Sequence, residues 1–177
     1  AFSTENWKRP KQEVDMIMKL FMQYLDEAKD FAKDKTRLVF LGDKSRFEPK
    51  MRDKMIELEK ASENFDEMTL AIAVNYGGRD DIVHSVKAAA EMLQNGDIRI
   101  SDIDESLITS LLYTGNMPDV DLIIRPSGEQ RISNFLIWQS AYAELYFTDV
   151  LWPDFLPKDL DKAIEDYASR GRRFGGV

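Results

Sequence analysis

Cysteine is absent from the 177 residues, which excludes disulfides, thiolate nucleophiles and zinc ribbons. The single histidine, His84, has no histidine or cysteine partner and reads as structural. No apolar run approaches the roughly 20 residues that a membrane-spanning helix needs, and no signal peptide is visible. Positive charge is in deficit: 24 Lys and Arg against 32 Asp and Glu leave a formal charge of −8. That balance argues against a general nucleic-acid binder. No repeat, low-complexity tract or linker interrupts the chain. Its 44% apolar content supports a single domain over residues 1–177 with a sizeable core. A cytoplasmic location is the expectation.

What is there alternates between helical and strand patterns. Pro10 suits a first helical turn, and Val14, Ile17, Phe21, Leu25, Ala28 and Phe31 form a stripe at helical spacing. "RLVFL" (37–41) predicts a short buried strand, ended by Gly42-Asp43. Pro49 opens a helix through Met51, Met55, Leu58 and Ala61. "MTLAIAV" (68–74) does not alternate, which predicts a strand covered on both faces. "NYGGRDD" then turns into a helix over 81–93. Ser101 or Asp102 is the expected cap of the next helix. "VDLIIR" (120–125) predicts a strand, "ISNFLIWQSAY" (132–142) a helix, "ELYF" (144–147) a strand, and Pro157 opens the last helix. The pattern implies an α/β fold with a mainly parallel central sheet flanked by helices. Met16, Met18 and Met22 read as core filling.

In such a fold ligands sit beyond the carboxyl ends of the strands, which puts 75–80 and 125–131 at the functional rim. In "IIRPSGEQRISNF", Arg125 leaves a buried strand, Gly128 turns the chain, and Arg131 and Ser133 begin the next helix. Two guanidinium groups, a hydroxyl and free helix N–H groups suit a diphosphate. Arginines paired with carboxylates such as Glu129 are the competing reading. Glu144 offers a hard oxygen for Mg²⁺, or is a solvated strand-end acid. "RGRRF" near the C-terminus is either a basic helix end or an arm that carries Arg to an anion.

Four segments together say more than any one alone: "AFSTENWKRP", "NYGGRDDI", "LIIRPSGEQRISNFLIWQSAYAELYFTDVLWPDF" and the closing "RRFGG". In this order, across almost the whole chain, they closely resemble the undecaprenyl diphosphate synthases of the cis-prenyltransferase family. The resemblance implies that family's fold, with a hydrophobic tunnel walled by the sheet and the helix over 13–32. It implies Mg²⁺-dependent cis condensation of isopentenyl diphosphate onto farnesyl diphosphate, yielding a polyprenyl lipid carrier for cell-wall synthesis. Carried over by motif, Arg125, Arg131, Ile132 and Ser133 bind isopentenyl diphosphate, and Glu144 is the metal ligand. Ser3, Thr4, Glu5, Trp7 and Arg9 contact substrate. Asn6 matches the residue associated with proton transfer, although a neutral amide is a poor base and better suits orienting the alkene or relaying the proton to a diphosphate oxygen. Arg173, Phe174 and Gly175 match an Arg-x-Gly element that reaches the partner subunit of a homodimer. Peripheral contact at the inner face of the membrane follows from the lipid product.

Two departures accompany the resemblance. Pro126 stands where family members usually carry Thr. The family's first strand, its Asp-Gly-Asn-Gly-Arg-Trp type loop and a following histidine do not occur here, so the chain is expected to be a fragment that begins mid-domain. A non-catalytic accessory subunit of the same family is the alternative; the retained opening motif, Arg125, Arg131 and Glu144 count against it. An unrelated nucleotide-binding module is disfavoured by the lack of a Gly-rich phosphate loop.

Overall fold

A computed structural model describes residues 1–28, 35–115 and 117–171. It divides into two compact units, Ala1–Asn116 and Met117–Val177. The first contains β1 (Phe2–Ser3), α1 (Lys11–Glu27), β2 (Thr36–Leu41), α2 (Pro49–Ser62), β3 (Met68–Tyr76), α3 (Gly78–Asn95) and α4 (Glu105–Leu111). Its sheet runs β1-β3-β2 and both pairings are parallel. The register sets Thr36 opposite Met68 and Leu41 opposite Ala73. On the other edge Phe2 lies opposite Val74 and, after an irregularity, Ser3 opposite Tyr76. Adjacent parallel strands need a long crossover, which α2 supplies between β2 and β3.

Leu38 and Phe40 of β2 point to the same face as Leu70, Ile72 and Val74 of β3. Leu25 and Ala28 cover this face from the α1 side, and Met51, Met55 and Leu58 cover it from α2. Each such side chain contributes about 1.5–3 kcal/mol on burial. Met18 and Met22 pack against the cluster as expected. Met16 does not: it points outward at 72% exposure, in line with Leu20 and Tyr24 one and two turns on. Phe31 lies outside the described residues.

The expectation that the second strand is covered on both faces holds only for its last part. Residues 73–76 are buried, whereas Met68, Thr69 and Ala71 are exposed. The described residues place no helix over that stretch, and the face opposite the core borders a cleft between β2 and α3. Helix boundaries also shift by local capping. Pro10 precedes the first turn of α1, and α3 begins at Gly78 and ends at Gly96, whose φ of 80° closes the helix. Asp104, rather than Ser101 or Asp102, caps α4 by accepting from the Leu107 N–H at 2.8 Å. Ser101 and Asp102 lie instead in a 3₁₀ turn.

The second unit pairs β4 (Leu122–Arg125) with β5 (Glu144–Phe147) in parallel, Leu122 opposite Glu144 and Arg125 opposite Phe147. Helix α5 (Pro157–Ser169) packs on β5 and buries Ala163 completely. The helix expected over 132–142 is a chain of turns. Ser133, Asn134 and Leu136 adopt φ of 47°, 63° and 48°, left-handed values that a right-handed helix cannot accommodate. The Arg131 carbonyl, which would accept the first helical bond, instead accepts from Arg125 at 2.6 Å.

Gly42 ends β2 with φ 115°, and a Cβ there would lie 2.2 Å from the Val74 carbonyl oxygen. Gly42→Ala is therefore expected to destabilise the protein by at least about 1–3 kcal/mol from backbone strain alone. Denaturant midpoints of the two proteins provide the measurement; equal midpoints would mean the β2 turn relaxes freely.

Candidate functional site

The parallel sheet of the first unit delivers the opening motif to the rim. Ser3 ends β1, and Thr4–Lys8 follow as a 3₁₀ turn. The Ser3 N–H donates to Asn6 Oδ1 at 2.8 Å. The Trp7 indole N–H donates to Asn75 Oδ1 at 2.7 Å, and Asn75 Nδ2 donates to the Asp43 carbonyl at 2.8 Å. Asn75 is 1% exposed with φ 47°, a conformation that Asn tolerates better than most residues. One buried amide thus ties together the ends of three segments: the 3₁₀ turn, β2 and β3. Edge-on contact with Phe2 at 5.0 Å and the Arg46 guanidinium 4.9 Å from the ring centroid hold the indole further. Arg9 is exposed and pairs with Glu13 at 3.6 Å; Thr4 is half-buried and Glu5 exposed.

Trp7 also stands at one end of a cavity of about 750 Å³ between α1 and the Arg46–Met51 segment. Val14, Met18, Met22, Phe47 and Met51 give it apolar walls, and its charged lining is mixed, with Lys11, Lys19, Arg46 and Lys50 beside Asp15, Asp26 and Glu48. Apolar walls with cations among the charged lining suit an amphiphile with an anionic head.

A second cleft of the same unit, about 630 Å³, lies beyond Gly42 and Asp43. His84 stacks on Tyr113 there, with 4.4 Å between ring centroids, in keeping with a structural histidine. Burial, with Asp80, Asp43 and Asp81 nearby, holds the Tyr113 hydroxyl well above the usual phenol range. Asp81, 1% exposed, accepts from the Tyr76 hydroxyl at 2.8 Å and from the Tyr113 N–H at 2.7 Å. Lys44 is bound by both oxygens of Glu59, at 2.6 and 2.7 Å.

The second unit brings the arginine loop together by itself. Arg125 Nη1 reaches both the Arg131 carbonyl and Ser133 Oγ, the latter at 2.9 Å. The turn between them depends on Ser127 and Gly128, with φ of 79° and 72°, and their N–H groups donate to the Val150 and Thr148 carbonyls. Pro126, which has no N–H of its own, begins this turn. Arg131 pairs with Glu129 yet keeps 62% of its side chain exposed. Ile132 is half-buried and Ser133 exposed. Because 132–142 is not helical, no helix N-terminus contributes N–H groups to this loop, contrary to expectation.

Glu144 opens β5 and is half-buried. Its Oε2 accepts from Arg170 Nη1 at 2.7 Å. Arg170 also donates to the Leu145 carbonyl at 3.2 Å and to Asp166 Oδ2 at 2.5 Å. These bonds, to Glu144 first and then Asp166, strengthen the guanidinium's hold on its proton. Sequence reasoning noted Arg170 only as part of a basic run, placed Asn75 at the functional rim without a specific role, and did not single out Arg46. The partners of Arg170 and Asn75 are 26 and 68 residues away, beyond any local pattern. Arg173 and Gly175 lie outside the described residues.

The described residues contain no cluster of three or more His, Asp or Glu side chains arranged to hold a metal, and no helix long and apolar enough to cross a membrane. A family model described as putative undecaprenyl diphosphate synthase matches residues 1–175. A (2E,6E)-farnesyl-diphosphate specific ditrans,polycis-undecaprenyl-diphosphate synthase of Pasteurella multocida is 51% identical over all of this chain and 74% of its own length. The Escherichia coli enzyme of that name is 48% identical over all of this chain and 70% of its own. Among solved structures, lavandulyl diphosphate synthase from Lavandula x intermedia, in complex with dimethylallyl diphosphate, is 38% identical. It superposes with a TM-score of 0.94 over 99% of this chain and 76% of its own. A probable undecaprenyl diphosphate synthase from Campylobacter jejuni reaches 0.87 at 38% identity, over 99% of this chain and 80% of its own. With the α/β architecture, the arginine loop and the Trp7-edged cavity already in place, these likenesses decide the matter: the chain belongs to the undecaprenyl diphosphate synthase family of cis-prenyltransferases.

Proposed function

We propose that the protein is a prenyltransferase that condenses isopentenyl diphosphate in cis onto farnesyl diphosphate, repeatedly, to give a long-chain polyprenyl diphosphate such as undecaprenyl diphosphate. The observation that carries this reading is the 51% identity, along the entire chain, to an enzyme named for that product and that allylic substrate. Residues 1–177 then act as one catalytic domain. A homodimer, a cytoplasmic location and peripheral contact with the membrane that receives the product complete the reading.

The residue types suit the chemistry. The bond between the allylic carbon and its diphosphate breaks, a new carbon–carbon bond forms to the alkene, and a proton leaves the alkene-derived carbon. Arg125, Arg131 and Ser133, with Ile132 beside them, receive the isopentenyl diphosphate. Ser3, Thr4, Glu5, Trp7 and Arg9 contact substrate, and Arg173 and Gly175 serve the partner subunit's site in the homodimer. Asn6, held by its bond from the Ser3 N–H, orients the alkene or relays the proton to a diphosphate oxygen. Val14, Met18 and Met22 keep water from the positively charged allylic carbon and the growing chain.

Glu144 fits a Mg²⁺ ion. It is a half-buried carboxylate already matched to a cation, and Mg²⁺ commonly uses one or two carboxylates with substrate phosphates and water as its other ligands. Bound there, Mg²⁺ would neutralise charge on the departing diphosphate.

Two outcomes test the assignment, with turnover followed by incorporation of labelled isopentenyl diphosphate into extractable polyprenyl product. Arg131→Lys keeps the charge but loses the planar fork, so isopentenyl diphosphate binding should weaken by about 1–3 kcal/mol; unchanged affinity by titration would remove Arg131 from the site. Asn75→Gly permits the left-handed backbone but leaves the Trp7 indole N–H without its acceptor. The expected result is a several-fold higher KM for the allylic diphosphate, together with lower stability, because the Asp43 carbonyl also loses its donor. Native KM would show that Trp7 holds its position without Asn75.

A further inference from the structure

The partner of Glu144 suggests more than a passive ion pair. Arg170 spreads one guanidinium over three acceptors: Glu144 Oε2, the Leu145 carbonyl and Asp166 Oδ2. The first two belong to the start of β5, and the third lies one turn back on α5. Arg170 itself follows the last residue of α5. The guanidinium therefore fastens the end of α5 to the head of β5, and its fastening point is the carboxylate proposed above for Mg²⁺. One oxygen of that carboxylate is already occupied. The other oxygen of the carboxylate is open to a metal ion, but a divalent cation on either oxygen repels the guanidinium across the same carboxylate, and one that takes Oε2 replaces it there. Both Glu144 and Arg170 retain about a third of their side-chain surface, 36% and 32%, so an incoming ion can reach the pair and the exchange needs no unfolding.

We propose that Arg170 is the resident counter-cation of Glu144, holding its carboxylate in place until a divalent metal ion displaces it and thereby breaks one of the bonds that tie the end of α5 to β5. Before metal arrives, Arg170 prevents Glu144 from being an unpaired, half-buried charge. After exchange, Arg170 keeps Asp166 and the Leu145 carbonyl, so its own charge stays matched. Arg170 is thus a positioning residue, acting on the reaction through Glu144. The inference rests on the metal-binding reading of Glu144, and its test separates the two.

The experiment uses the full-length protein with inorganic diphosphate and Mn²⁺, free Mn²⁺ being read by electron paramagnetic resonance. Glu144→Gln should abolish the tight Mn²⁺ site. Arg170→Gln should bind Mn²⁺ about fivefold more tightly, the scale of one competing charge at contact distance in a watery site. Arg170→Lys, which keeps the charge but cannot bridge all three acceptors, should fall between Arg170→Gln and the native protein. A double-mutant cycle on unfolding midpoints provides a readout that simple charge removal would not move. Positions 144 and 170 should be coupled without Mn²⁺ and uncoupled at saturating Mn²⁺. Coupling that persists at saturating Mn²⁺, or an Arg170→Gln affinity no higher than native, overturns the counter-cation role while the Glu144→Gln loss stands. A Glu144→Gln protein that binds Mn²⁺ as the native one does overturns both readings together.

Discussion

Because β3 is paired in parallel with β2 on one edge and with β1 on the other, all three strands deliver their carboxyl ends to one rim. Ser3, Gly42-Asp43 and Asn75 are brought together by that polarity alone. The geometry then needs a hub, and Asn75 supplies it: a buried amide whose oxygen serves Trp7 and whose nitrogen serves Asp43. An apolar residue there would strand two polar partners, and a β-branched one would resist the left-handed backbone. The placement of Trp7 at the cavity is thus a consequence of strand direction first and of one side chain second.

Charge is handled by pre-pairing. Arg131 has Glu129, Lys44 has Glu59, and Glu144 has Arg170. Arg125 is held by a carbonyl and a hydroxyl rather than a carboxylate, so its full charge remains available to an anion. A protein of net charge −8 that handles diphosphates gains from this arrangement. Its cations are oriented before the substrate arrives, and the acids beside them moderate non-specific attraction to other anions.

Much of the fold was legible because strands and helices here carry unambiguous periods. "RLVFL" and "MTLAIAV" sit one residue or two from their observed bounds, and Pro49 and Pro157 open α2 and α5. The segment 132–142 misled for a specific reason. Its apolar spacing is helical, but Arg125 captures the carbonyl that would start the helix, a side-chain-to-backbone bond that apolar periodicity does not register. The candidate site divides the same way. Arg125, Arg131, Ser133 and Glu144 stand in one compact motif and were readable from it, whereas the bonds made by Arg170 and Asn75 exist only once the chain has folded.

The methionines give the molecule an uneven chemical vulnerability. Lacking cysteine, the chain has thioethers as its main oxidisable sulfur. Met55 and Met51 are 0% and 5% exposed, out of reach of peroxide, while Met16 stands 72% exposed on α1. Met18 and Met22 occupy the middle ground, half-buried in the wall of the 750 Å³ cavity. A sulfoxide at either would put a strong dipole into an otherwise hydrocarbon wall. Oxidative damage would thus roughen the cavity lining long before it reached the core that holds the sheet.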